Sequence, residues 1–293
     1  MASSTRRRCL VAVAHPLPDT VDLEACLFGG QAFTWWRTED AIEGLARGTR
    51  VAIDPDAGTW RARPEREPGF LDAYLGAERG QPSQLHDDPQ LGELARRMPG
   101  LRLLDQDPWE AFVAFLISPA NNVPRIQATI ARLCHELGPS REGPVGFPEP
   151  AAIAEAGEAR LRELGLGFRA PRVEKAARAV DEDRLDLERL AKLAVDEARA
   201  RLVELDGVGP KVAECILCYA LGVAGAFPVD RWVARAGEVL LGQEPTAESA
   251  RQRWGSEAAI AQQVIFHGAR KGFVDGIEAS PVAGFDAWRS IEA

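Results

Sequence analysis

No apolar run in the 293-residue sequence approaches the roughly 20 residues that cross a bilayer. The basic start, Met1 to Leu10, is followed by no long apolar segment with a cleavage pattern, so it reads as a frayed terminus and not a secretory signal. Five cysteines (Cys9, Cys26, Cys134, Cys215 and Cys218), odd in number and scattered, argue against a disulfide framework and for a reducing compartment. Cys215 and Cys218 form one C-x-x-C pair, but a second pair to complete a zinc site is missing. So is the compact C-terminal cysteine cluster that would hold an iron–sulfur centre. Positive charge is also short: the formal net charge is −9, where a nucleic-acid binder usually carries a basic footprint. There are no internal repeats. With 46% hydrophobic residues, the chain suffices for two domains with substantial cores.

What is present centres on Leu205-Asp-Gly-Val-Gly-Pro-Lys211 and, nineteen positions after the lysine, Asp230 in Phe227-Pro-Val-Asp230. Ala198, Leu202 and Leu205 fall at helical spacing and lead into the turn. Gly207 and Gly209 admit unusual backbone angles and let a phosphate approach the amides. Pro210 suits the first turn of a new helix, running to about Leu221, whose N-terminal amides and dipole attract an anion. Lys211 lies in that first turn, where the dipole and partial burial would favour the neutral amine that a nucleophile requires. Cys215, at i+4, shares its face. Taken singly, Asp230 reads first as a helix N-cap and Lys211 as an exposed first-turn lysine. Together, an amine nucleophile, a carboxylate and a DNA-gripping hairpin suggest an enzyme that removes a base from DNA.

Short apolar runs with turn signals mark residues 1–95: Cys9 to Ala14, Gln31 to Trp36, Arg50 to Ile53 and Thr59 to Arg63. These predict antiparallel strands, with a helix near Phe70 to Leu75. From Leu91 onward the pattern is helical, broken at Gly138-Pro139, Gly143 to Pro150, Gly165 to Pro171, Gly207 to Pro210 and Gly242 to Pro245. The expected fold class is α+β: a small N-terminal antiparallel sheet domain (1–95), a helical domain (96–272) and a weakly patterned tail (273–293).

These features resemble the helix-hairpin-helix, Gly-Pro-Asp superfamily of DNA glycosylases, and within it the bifunctional 8-oxoguanine DNA glycosylase/AP lyases. The resemblance runs from about residue 14 to about 272. Gly29-Gly30-Gln31-Ala-Phe33-Thr-Trp35 is similar to the family's N-terminal signature. Asp107-Pro-Trp-Glu-Ala-Phe112, continuing to Ser118-Pro-Ala-Asn121-Asn122-Val-Pro-Arg125, resembles its Asn-rich segment. Phe147-Pro148 and Leu164-Gly-Leu-Gly-Phe168-Arg169 follow in order and spacing.

The resemblance implies a base-flipping mechanism on double-stranded DNA containing an oxidised purine. Lys211 would attack C1′ and form a Schiff base, with Asp230 orienting it and stabilising the cationic sugar. Gln262 and Phe266, one helical turn apart, would read the base edge and cover one face, Cys215 the other, and the Gly30 carbonyl would accept the N7 hydrogen of 8-oxoguanine. Arg125, and less directly Arg169, would read the orphaned cytosine, while Phe168 would wedge the stack. Asn121 and Asn122 would lie at the DNA, with Asn121 filling the vacated space or that gap filled differently, the hairpin glycines Gly207 and Gly209 would grip the backbone, and Trp232 would stand beside a lesion phosphate. Each has an ordinary alternative as core, cap or solvated surface. Arg125, Arg169, Arg172, Lys175, Arg231 and Arg270-Lys271 would supply a basic face despite the net charge. No external cofactor is required, although hairpin carbonyls in this family often hold a monovalent cation. No metal at the reaction centre, no membrane and a monomer are expected, in the cytoplasm or, in a eukaryote, the nucleus.

Three positions depart from the family pattern. Ala120 stands where an Asn triplet begins, Trp232 where a histidine is common, and Phe168 where tyrosine is usual. The rival readings are an alkylated-purine glycosylase of the same fold, which usually lacks the lysine, and a noncatalytic hairpin protein, which leaves Lys211 and Asp230 unexplained.

Overall fold

The computed structural model describes residues 13–18, 20–139 and 146–280. Five strands, β1 (His15–Pro16), β2 (Trp35–Arg37), β3 (Ile42–Ala46), β4 (Thr49–Asp54) and β5 (Thr59–Arg63), form one antiparallel sheet in the order β1-β5-β4-β3-β2. Period-two alternation drives it: Trp60 and Ala62 point inward while Arg61 and Arg63 point to solvent. The sheet covers two cores. Trp36 and Leu45 face the helical part, whereas Trp35, Val51, Ile53 and Trp60 face a smaller core shared with Leu71 and Tyr74. Trp35 also donates its indole N–H to the Tyr74 hydroxyl at 2.8 Å.

The sheet departs from the sequence expectation in two places. β3 was not foreseen, because Ile-Glu-Gly-Leu-Ala reads as a weak strand. Gly44 faces Trp35 across the ladder, and a Cβ there would lie 2.4 Å from the indole, so the glycine serves packing. The segment from Gln31 joins the ladder only at Trp35; Gln31 is buried with its side chain on the Arg102 carbonyl (2.8 Å) and the Leu104 N–H (3.1 Å). The expected strand at Cys9 to Ala14 lies largely outside the described residues.

Helices then follow: α1 (Leu23–Leu27) and α2 (Phe70–Tyr74) against the sheet, α3 (Gly92–Arg96), α4 (Pro108–Ile117), α5 (Val123–Leu137), α6 (Pro150–Leu161), α7 (Ala170–Asp181), α8 (Leu187–Ala191), α9 (Val195–Val203), α10 (Pro210–Cys215), α11 (Arg231–Leu241), α12 (Ala247–Trp254) and α13 (Ala258–Arg270). α4 is apolar all round and buried from Glu110 to Ile117, so it forms the centre about which the others pack. α10 continues into a π turn, Ile216–Ala220, and every residue from Val212 to Ala220 is buried. Among the described residues no helix is long and apolar enough to cross a membrane.

Candidate active site

Lys211 stands at the junction of hairpin and helix. α9 enters with Ala198 and Leu202 buried, and Pro210 occupies the first position of α10. Gly207 has φ +79, and a Cβ there would lie 2.3 Å from Cδ of Arg172. Gly209, by contrast, has ordinary extended backbone (φ −85, ψ 175) with open space around it. What it contributes is an unobstructed approach to the amides, not a special angle. Lys211 is exposed, against the partial burial expected of it. Cys215, one turn on, is buried; burial pushes its thiol up, opposed by the positive charge of Lys211 within hydrogen-bonding reach. Burial pushes Cys218 higher still, so both thiols are kept from the thiolate form that metal or redox chemistry needs.

Asp230 is the N-cap of α11 and keeps one oxygen uncommitted. Oδ1 accepts the N–H groups of both Trp232 and Val233 at 2.9 Å. Oδ2 accepts no hydrogen bond among the described residues. The capping role therefore fixes the carboxylate without exhausting it. Its charge raises the Cys215 thiol, the same group that Lys211 lowers. Glu214, unremarked in the sequence, ties their two segments together. It is buried on α10, accepting Arg199 Nε at 2.5 Å and the Phe227 N–H, three residues before Asp230, at 2.7 Å.

Three further predicted residues lie on α13 and on the loop after α1. Gln262 and Phe266 project from one side of α13, the glutamine buried and the ring half-buried. Gly30, at φ +88, lies against the Phe266 ring, since a Cβ there would be 3.5 Å from Cε1 and Cζ. The Arg270 guanidinium sits 6.0 Å from the Phe266 centroid and 5.1 Å from the Trp232 centroid, near the charge of Asp230. Tyr219 was missed by the sequence reading; its hydroxyl donates to Gln262 Oε1 at 2.8 Å. Its spacing, i+4 from Cys215, was the available signal.

The remaining predicted residues lie on other segments. Asn121 donates to the Ile117 carbonyl at 3.3 Å, and Asn122 caps α5 through the Arg125 N–H at 3.0 Å. Arg125 is exposed and makes no ion pair among the described residues. Phe168 is 52% exposed on its loop. Arg169 beneath it is buried, its guanidinium 4.2 Å from the Phe168 centroid and bonded to the carbonyls of Pro119 and Ala120. In this arrangement it braces the Asn-bearing loop. Lys175 is paired with Asp206 at 2.9 Å, which removes it from the expected basic face. Trp232 is half-buried, flanked by Arg231 and Arg270.

Residues 113–255 match the family model described as HhH-GPD superfamily base excision DNA repair protein. The chain is 31% identical over 206 residues to a probable N-glycosylase/DNA lyase of Methanothermobacter thermautotrophicus, a match covering 60% of this chain and 66% of that protein. It is 35% identical over 152 residues to an N-glycosylase/DNA lyase of Saccharomyces cerevisiae, covering 46% of this chain and 40% of the yeast protein. The chain thus spans under two thirds of the length of either curated relative. Among solved structures, the 8-oxoguanine glycosylase/lyase of Clostridium acetobutylicum, in complex with double-stranded DNA containing cytosine opposite 8-oxoguanine, aligns with a TM-score of 0.77 at 28% identity. That alignment covers 87% of this chain and 93% of the other. Residues 113–255, with the hairpin before Lys211, thus carry the HhH-GPD superfamily match of base excision DNA repair proteins, and the sheet and helical domain together share the fold of an 8-oxoguanine glycosylase/lyase.

Proposed function

We propose that this protein is a bifunctional DNA N-glycosylase and AP lyase that flips 8-oxoguanine out of duplex DNA, releases it and nicks the strand. The observation that carries this reading is that Lys211 and Asp230 both lie close enough to Cys215 to act on its thiol, while Tyr219, one turn on, bonds Gln262. The likeness to N-glycosylase/DNA lyases and to a DNA-bound 8-oxoguanine glycosylase/lyase supports it. In this reading residues 1–95 supply Gly30 and brace the pocket, and residues 96–272 carry the chemistry.

The Lys211 nitrogen bonds to C1′ as the glycosidic bond breaks. The base leaves with that bond's electron pair and takes up a proton, while the nitrogen gives one up. Ring opening yields an imine, and loss of a C2′ proton expels the 3′ phosphate. Asp230, fixed through Oδ1, directs Oδ2 and its negative charge toward the amine and the cationic sugar. Gln262 reads the base edge and Phe266 stacks on its face. Phe168 enters the stack, Arg125, Arg169 and the two asparagines meet the orphaned base, and Trp232 flanks the backbone. Gly209 and the first amides of α10 receive a phosphate. The carbonyls of Asp206 and Val208 accept no backbone hydrogen bond among the described residues, so they suit a monovalent cation that would add positive charge at the phosphate.

Product analysis on duplexes carrying single damaged bases tests the substrate. Release of 8-oxoguanine is expected; release of alkylated purines without 8-oxoguanine would contradict the reading and favour the alkylation-repair alternative.

A further inference from the structure

Tyr219 hydrogen-bonds the Gln262 side chain, and we propose that it decides which purine edge is read, by holding the Gln262 amide in one of its two orientations. The inference rests on the reading above, that the ligand is a flipped oxidised purine. Tyr219 belongs to the π turn Ile216–Ala220, which continues the helix of Lys211 and Cys215. Single π turns of this kind recur at functional sites because they re-aim a side chain within a helix. The phenol is clamped in place. Its ring stacks on Phe115, with centroids 5.1 Å apart and planes 17° apart. Its hydroxyl donates to Gln262 Oε1 at 2.8 Å, with both residues buried. Burial raises the phenol well above its ordinary range, so it remains a donor.

A carboxamide offers a donor on one side and an acceptor on the other. Turned by half a rotation, an unrestrained glutamine reads the opposite edge equally well. Beside Tyr219 the two orientations are not equivalent. With Oε1 toward the phenol, the phenolic proton is satisfied. With Nε2 toward it, that proton is left to the Cys218 sulfur, a weak acceptor, and an unsatisfied buried donor is costly. The favoured orientation turns Nε2, which bonds none of the described residues, toward the ligand together with the second lone pair of Oε1. A guanine-type edge presents an acceptor, O6, next to a donor, N1–H, and matches that pattern. An adenine-type edge presents a donor, N6–H, next to an acceptor, N1, and meets donor with donor and acceptor with acceptor. Tyr219 thereby makes the pocket select 8-oxoguanine over 8-oxoadenine.

Single-turnover release of the two bases from otherwise identical duplexes tests this, comparing the wild type with Tyr219→Phe. The substitution keeps the ring on Phe115 and removes only the hydroxyl. The ratio of 8-oxoguanine to 8-oxoadenine release should fall about tenfold, the equivalent of ~1.4 kcal/mol. Misfolding lowers both rates alike and leaves the ratio untouched. An unchanged ratio, with 8-oxoguanine still released by the wild type, overturns this role for Tyr219 and leaves the substrate reading standing. A wild type that releases no 8-oxoguanine removes both.

Discussion

Arg169 donates to the carbonyl of Ala120 at 2.9 Å across 49 residues of chain, joining the loop of the exposed Phe168 to the loop of Asn121 and Asn122. Ala120 adopts φ +51, a left-handed conformation that costs a residue with a Cβ and is retained here where the buried guanidinium holds its carbonyl. Arg169→Ala would leave the carbonyls of Pro119 and Ala120 without that partner. The expected loss is about 1.5–3 kcal/mol of stability, the usual worth of hydrogen bonds from a charged donor. Urea unfolding measures it, and a loss below about 0.5 kcal/mol would show that the brace is idle.

Phe168 makes the opposite prediction. Because it is 52% exposed, Phe168→Ala should move stability by no more than about 0.5 kcal/mol. If the exposed ring fills the opened stack as proposed, base release from duplex DNA should nevertheless fall by about tenfold. A variant with unaltered turnover would assign the wedge elsewhere.

Arg270 places a guanidinium charge beside the uncharged Trp232 indole. Its guanidinium packs beside the Trp232 and Phe266 rings and makes no ion pair among the described residues. Arg270→Ala should weaken binding to a duplex with a noncleavable abasic analogue. It should also reduce the slope of log K against log salt by about one, the signature of one lost phosphate contact. An unchanged slope would place Arg270 off the backbone.

Glu110 ties stability to pH. It is buried in α4, accepts the Thr34 hydroxyl at 2.8 Å through Oε1, and has no partner for Oε2. Burial pushes its carboxyl up to about 8 from an ordinary 4.5. The folded state therefore holds a proton that the unfolded chain releases. This contribution is complete below about pH 4.5 and is lost as pH rises through about 8. Glu110→Gln should gain stability relative to the wild type as pH rises across that window, by up to roughly 1.4 kcal/mol per unit. Urea midpoints at three pH values decide it; parallel curves would mean that Glu110 does not titrate there.

The legible part of this site was local. The hairpin before Lys211, the carboxylate of Asp230 and the one-turn spacing of Gln262 and Phe266 are patterns within short segments, and helical geometry carries them into the fold unchanged. What stayed hidden depended on distant partners. Tyr219 sits in an apolar helix and reads as core until a π turn aims it at Gln262. Arg169 reads as a free cation until its carbonyl partners some fifty residues away are known. β3 was obscured by Gly44, whose reason is the Trp35 indole on the neighbouring strand. Burial of Lys211 was expected from its apolar helix, but the first turn of that helix emerges at the surface.

Borohydride trapping on a duplex with one 8-oxoguanine opposite cytosine tests the central claim most directly, with Lys211→Gln and Asp230→Asn alongside. The wild type should give a covalent protein–DNA adduct, Lys211→Gln none, and Asp230→Asn a much slower one. An adduct that survives Lys211→Gln, or base release by the wild type with no adduct, would contradict Lys211 as the nucleophile.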